Sequence, residues 1–297
     1  MSVSGLLGSL GPEIDDPEEE SFLLFSQSIP SQNLGFVDSK ATVVDLTIAG
    51  RDLAIHQSPT ILSSNRGGGT TGAVIWKITP LFASWITTPT NFLFKHSVLR
   101  SDSIVLELGS GISGIIGLAL SSQVGTYVLT DQEYVMKLLN QNLVENQQDL
   151  SNTTKGRKSA NKPKRGSVPV TAVSSGSNII TKALDWETDV VTPSLTGSAS
   201  QGSFDVVIAC DCIYNDALID PLVQTCVDAC RLRADTSMEE GNTTVCIVAQ
   251  QLRSDEVFEA WLKAFSKFFR VWRVPDEHLI DGLKSDSGFV IHVGVLK

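Results

Sequence analysis

The sequence predicts a doubly wound α/β fold, with a mainly parallel sheet covered by helices on both faces. Three observations lead there. From residue 102 onward, short apolar runs alternate with segments of helical period. Most of these runs are continuously apolar, as in strands buried on both sides. A glycine-rich turn joins the first run to the first helix, where open α/β sheets bind ligands.

The elements follow in order. Residues 1–40 form an acidic and polar lead-in, with Asp15, Asp16 and Glu18 to Glu20 ahead of an apolar patch at 22–25. This reads as a solvated tail or a small N-terminal element. Residues 41–57 alternate apolar and polar around Gly50, the pattern of a β-hairpin turning near 49–52. Residues 63–72 are rich in Gly, Ser and Thr and read as a loop. Residues 73–86 open a helix carrying Trp76 and Trp85. Residues 41–100 thus form a hairpin-and-helix extension ahead of a main domain at 101–297.

Within the main domain, strands are expected at 103–108, 126–130, 179–184, 204–210, 243–250, 271–274 and 289–296. Helices are expected at 112–121, 132–147, 217–232 and 256–269. Strand–helix alternation implies right-handed crossovers and parallel pairing. The last two strands lack an intervening helix and are expected to pair antiparallel. Two polar segments break the rhythm, 151–177 and 191–203, and both read as mobile insertions. The first holds Lys155, Arg157, Lys158, Lys162, Lys164 and Arg165 without an acid. It reads as a solvated loop, with contact to RNA or an acidic surface as the alternative.

Bulk properties narrow the function. A chain of 297 residues suits one large domain, alone or with a small extension. Its net charge of −10 argues against general nucleic-acid binding and is compatible with a basic protein partner. No apolar run is long enough to span a membrane, and the first ten residues lack the pattern of a secretory signal. The cysteines, Cys210, Cys212, Cys226, Cys230 and Cys246, are odd in number, which suits free thiols in a reducing, cytoplasmic or nuclear, setting. None forms a CxxC pair and no histidine lies close in sequence, so they read as buried structural residues and no metal site is expected. His56, His96, His278 and His292 are scattered and read as structural.

The chemistry-bearing motif is Glu107-Leu108-Gly109-Ser110-Gly111-Ile112-Ser113-Gly114, between a strand and a helix. Gly109 and Gly111 permit a tight turn and close approach of a ligand to backbone N–H groups. Asp131 ends the next strand, where a carboxylate binds ribose hydroxyls. Together these read as a site for an adenosine-containing cofactor. NAD and S-adenosylmethionine both fit the pattern. Glu107 favours the second, because a carboxylate beside the turn repels a pyrophosphate and attracts an ammonium or sulfonium. Asp185 and Trp186 follow the third strand, where an acid can accept from the adenine amine and an indole can pack on the ring. Asp211-Cys212-Ile213-Tyr214 stands at the carboxyl end of the fourth strand, where an Asp and a Tyr can line a reaction pocket.

With these motifs in this order the chain resembles the seven-strand protein-lysine methyltransferases. Within them it looks most like the fungal ribosomal lysine N-methyltransferase 5 group. The resemblance covers roughly 41–297. It is carried by Thr71-Gly72 with Trp76, ELGSGISG (107–114), Asp131, LLNQNLVEN (138–146), LDW (184–186) and FDVVIACDCIY (204–214). It implies a Rossmann-like seven-stranded methyltransferase sheet of order 3-2-1-4-5-7-6. It also implies cofactor contacts from Trp76, Glu107, Gly109, Asp131 and Trp186, and a protein-methylating tetrad at Asp211 and Tyr214. The implied substrate is a large-subunit ribosomal protein of the L1 stalk type; a monomer is the default expectation for the chain itself, with a homodimer as the alternative. An elongation factor or chaperone is the alternative substrate. A catalytically silent binding module and an NAD-dependent oxidoreductase are the alternatives in other classes. The 151–177 insertion departs from the family pattern.

Overall fold

The computed structural model describes residues 3–31, 35–64, 69–152, 178–198, 201–234 and 243–297. The chain begins with α1 (Val3–Ser9), α2 (Pro17–Phe25), β1 (Val43–Ile48), β2 (Arg51–His56), α3 (Pro59–Leu62), α4 (Ile78–Ile86) and α5 (Phe92–Lys95). Then come β3 (Ile104–Leu108), α6 (Ile115–Leu120), β4 (Thr126–Asp131), α7 (Glu133–Asn152), β5 (Ile179–Ala183) and β6 (Val206–Cys210). The chain closes with α8 (Ile219–Ala234), β7 (Val245–Gln251), α9 (Asp255–Ser266), β8 (Phe269–Arg273) and β9 (Phe289–Leu296).

β3 to β9 form one sheet of order β5-β4-β3-β6-β7-β9-β8. Counted within the sheet this is 3-2-1-4-5-7-6. β3 to β7 pair parallel, and β9 lies antiparallel between β7 and β8. The order reverses at β3, which pairs with β4 on one side and β6 on the other. That reversal opens a crevice at the carboxyl ends of the strands.

Alternate residues of each strand feed two apolar layers. Val105, Tyr127, Leu129, Val206, Ile208 and Ile291 pack with residues of α4, α6 and α7. Leu106, Val128, Val207, Val248 and Val290 pack with α8, α9 and Leu24 of α2. All five cysteines are buried and free, as the spacing suggested. No helix among the described residues is long and apolar enough to cross a membrane.

Of the two readings of the first forty residues, the structure shows the small N-terminal element, and two other expectations need correction. Asp16 caps α2 by accepting from the Glu18 and Glu19 N–H groups, with Pro17 opening the helix. α2 then packs on α9 and buries Glu20, whose carboxylate meets His292 at 3.2 Å and Arg273 at 3.4 Å. The helix expected at 73–86 begins only at Ile78. Val74 to Trp76 are extended instead, because Phe36 bridges Trp76 and the Val37 N–H donates to the Ile75 carbonyl. The described part of 191–203 is packed: Leu195 and Thr196 are buried in a turn of 3-10 helix. The 151–177 insertion lies, from residue 153, outside the described residues.

The hairpin turns through Ala49 and Gly50, with φ of 50° and 75°, the pair of positive angles that suits strand twist. Side chains then dock it on α7. Asn142 accepts from the His56 N–H at 2.8 Å and donates to the His56 and Ile112 carbonyls at 2.8 and 2.7 Å. One turn on, Asn146 accepts from the Ala54 N–H and donates to its carbonyl. The two asparagines imitate a strand partner for β2, and this explains Asn142 and Asn146 among the polar positions of LLNQNLVEN. Asn142→Ala leaves buried backbone groups unpaired. It is expected to lower stability by about 3 kcal/mol, read as a lower urea midpoint at unchanged slope. A loss below about 1 kcal/mol would show that water replaces the amide.

Candidate active site

The floor of the crevice is the turn after β3. Gly109, Gly111 and Gly114 have φ of 70°, 61° and 54°, a region costly for any residue with a Cβ. At Gly109 there is also no room: an added Cβ would fall 2.7 Å from the Cys212 Sγ and 3.2 Å from the Trp186 ring. The turn is tied down on both sides. The Ser110 N–H donates to the Thr130 carbonyl, and the Ile112 N–H donates to that of Gly72.

Trp76, Gly109, Gly111, Asp131, Asp185, Trp186, Asp211 and Tyr214 all line one cavity above this turn. Asp131 closes it from β4, accepting from the Gly111 N–H at 2.8 Å and the Gln132 N–H at 2.7 Å. Burial nevertheless raises its carboxyl to about 6. Asp185 accepts from the Gln132 side chain at 3.2 Å and from the Glu187 N–H at 3.0 Å. The Trp186 indole N–H is buried without a partner, a donor available to a ligand. The Trp76 indole donates to the Thr71 carbonyl, which holds its ring at the rim.

Glu107 does not line the cavity. Its side chain lies under the turn, buried, and accepts from the Tyr127 hydroxyl at 2.7 Å. Burial raises its carboxyl to about 8, with the Asp131 charge adding to the effect and the Tyr127 hydrogen bond opposing it. At neutral pH Glu107 is therefore mostly uncharged, and the repulsion argument drawn from the sequence lacks the charge it needs.

Asp211 and Tyr214 sit where β6 ends. Asp211 has φ of 60° and is nearly buried. Its carboxylate is held in a two-pronged pair by Arg253, at 2.6 and 2.7 Å. The Arg253 guanidinium also lies 5.0 Å from the Trp76 ring centroid. The Tyr214 hydroxyl accepts from Thr71 at 2.9 Å, and burial raises the phenol so that it stays protonated at neutral pH. Sequence reasoning missed Arg253, which follows β7 with no motif around it. It also gave Thr71 no part beyond marking the resemblance. Among the described residues no group of three or more His, Cys, Asp or Glu is placed to hold a metal ion.

The Gly109 cradle that a Cβ would fill, the unpartnered indole N–H and the Asp131 carboxylate fit an adenosine-bearing ligand. Gly109→Ala is expected to weaken S-adenosylmethionine binding about tenfold or more, the equivalent of 1–2 kcal/mol of strain and closure, read by calorimetric titration. An ionised Asp131 would accept ribose hydroxyls more strongly than a protonated one. Affinity is therefore expected to fall as pH drops through about 6, by about tenfold at pH 5. Equal affinity at pH 5 and 7.5 would remove Asp131 from the contact.

The chain is similar to known lysine methyltransferases. The model of the lysine methyltransferase family matches residues 55–158 and 166–263. The chain is 34% identical to ribosomal lysine N-methyltransferase 5 of Zygosaccharomyces rouxii, over 68% of this chain and 66% of that one. It is 27% identical to the protein of the same name from Vanderwaltozyma polyspora, over 98% and 100%. It is also 30% identical to a Schizosaccharomyces pombe protein named diaminohydroxyphosphoribosylamino-pyrimidine deaminase, over 87% of this chain. The chain spans about half the length of that relative, 53%. With a family match over most of its length, the chain belongs to the lysine methyltransferase family, whose methyl donor is S-adenosylmethionine.

Proposed function

We propose that this chain is an S-adenosylmethionine-dependent protein-lysine N-methyltransferase acting on a ribosomal protein, by resemblance the L1-type stalk protein of the large subunit. The observation that carries the reading is that Asp211 and Tyr214 open on the same cavity as the glycine turn and Asp131. The donor and the acceptor amine would meet there. The relatives named as ribosomal lysine methyltransferases support the substrate class, and the net charge of −10 suits a basic partner.

S-adenosylmethionine, when bound, supplies an electrophilic methyl on a sulfonium. The protein's own work is alignment and exclusion of water. Gly109 and Gly111 give the close approach, Asp131 takes the ribose, and Asp185 and Trp186 take the adenine end. Glu107, beneath the turn, accepts from the Tyr127 hydroxyl rather than presenting a charge to the cavity. Trp76 contacts the cofactor, by resemblance, and Tyr214 walls the place for a lysine chain. Thr71 occupies one lone pair of the Tyr214 oxygen, which fixes the remaining lone pair and proton for the amine.

The test is transfer of labelled methyl to salt-washed large ribosomal subunits and, separately, to a ribosome-free extract. Label on one large-subunit protein, at lysine, is the expected result. Label confined to the ribosome-free extract would move the substrate to another protein, and no label in either would favour a silent binding module. Tyr214→Phe keeps the ring and loses the hydroxyl. It is expected to lower kcat about ten- to a hundredfold, with S-adenosylmethionine affinity within about threefold. Unchanged kcat would reject the hydroxyl's role.

A further inference from the structure

A lysine ammonium has no lone pair, so the amine must be neutral before it attacks. Among the described residues lining the cavity there is no lysine, arginine or histidine. The cavity thus offers no imidazole to take the proton, and its carboxylates act the wrong way. Asp131 from β4, Asp185 after β5 and Asp211 after β6 all line it. A negative charge beside a bound amine favours the ammonium form. The other titratable groups facing this space are the Cys210, Cys212, Tyr134 and Tyr214 side chains, with Glu107 under the turn.

Asp211 stands beside Tyr214, where the amine would arrive, and it is the carboxylate with a cation committed to it. Arg253 lies one layer behind, outside the cavity lining. Both of its terminal nitrogens are spent on Asp211, at 2.6 and 2.7 Å. Its position is over-determined. It sits over the Trp76 ring, and a Cβ added to Gly35 would fall 2.7 Å from one of its nitrogens. The Gln251 N–H also points at Asp211, at 3.3 Å. After these bonds Oδ1 has accepted twice and Oδ2 once, so the free lone pair is on Oδ2. Asp211 can therefore still accept from an amine while its charge is offset.

We infer that Arg253 is a positioning residue that keeps Asp211 as a hydrogen-bond acceptor while cancelling its charge, so that the substrate lysine is held as the neutral amine. The inference rests on the lysine reading above. A purely structural pair would hold the left-handed backbone at Asp211 and leave the pH profile alone. A charge-cancelling pair sets where that profile rises.

The experiment is the pH dependence of methyl transfer from labelled S-adenosylmethionine to salt-washed large ribosomal subunits, with the full chain and its variants. In Arg253→Gln, Asp211 is an uncompensated carboxylate. The rising limb is expected to move up by about one pH unit. At pH 7, kcat then falls about tenfold, while KM for the subunits is unchanged or lower. Arg253→Lys keeps the charge and should leave the limb in place. The pair of changes Arg253→Gln with Asp211→Asn removes both charges and should return the limb to its wild-type position at a lower rate. Thermal melting and S-adenosylmethionine titration identify which variants fold. Should Arg253→Gln fail to fold, a shifted limb in either of the other variants overturns the inference. A folded Arg253→Gln with the wild-type limb also overturns it, while leaving the lysine reading intact. Absence of transfer by the wild-type chain at every pH overturns the lysine reading and the inference together.

Discussion

The left-handed turn between β3 and α6 is the constraint around which the rest is arranged. In the few residues from Gly109 to Gly114 the chain leaves a buried strand, bends past a cavity and starts a buried helix. Three positive φ angles achieve this, and any side chain there would add strain of about 1–2 kcal/mol per position. The same glycines set the packing. A Cβ at Gly114 would fall 2.8 Å from the Leu139 side chain, so the start of α6 can lie against α7 only because nothing projects there. The Gly111 N–H fixes Asp131, and the neighbouring Ile112 N–H fixes Gly72. One turn therefore positions β4's carboxylate and the 71–76 segment that brings Trp76 and Thr71 to the rim.

Much of this was legible in the sequence, and the exceptions have a common cause. The central strands announced themselves because burial on both faces leaves only apolar side chains. The cavity residues announced themselves because strand ends and glycine turns have fixed places in a doubly wound sheet. The misreadings came where a distant partner decided the outcome. Val74 to Trp76 look helical in isolation and are extended because residues 35–37 supply the pairing. Glu107 looks like a charged residue of the site, yet its carboxylate is turned under the turn to Tyr127. Arg253 has no local pattern at all, and only the fold brings it to Asp211. Residues 191–198 read as loop by composition, while Leu195 and Thr196 fill space beside the sheet.

The hairpin and α7 show a different use of polar residues. β1 and β2 stand outside the main sheet, so β2 has an edge to satisfy. Asn142 and Asn146, one helical turn apart, meet that need with side-chain amides, which carry the same donor and acceptor groups as a peptide bond. The arrangement lets a helix take the place of a strand. It anchors the extension to the helix that follows Asp131.

The opposite end of the sheet is finished differently. β8 is an edge strand, and the Ile14 N–H donates to the Val271 carbonyl while Glu13 pairs with Arg270. Unpaired strand edges recruit strands from other molecules. The short stretch before α2 therefore occupies a backbone position on this edge that another chain's strand would otherwise use. A tag or truncation that dislodged Glu13 and Ile14 would leave the active-site residues untouched. Its mark would be clumping at high protein concentration rather than lost chemistry.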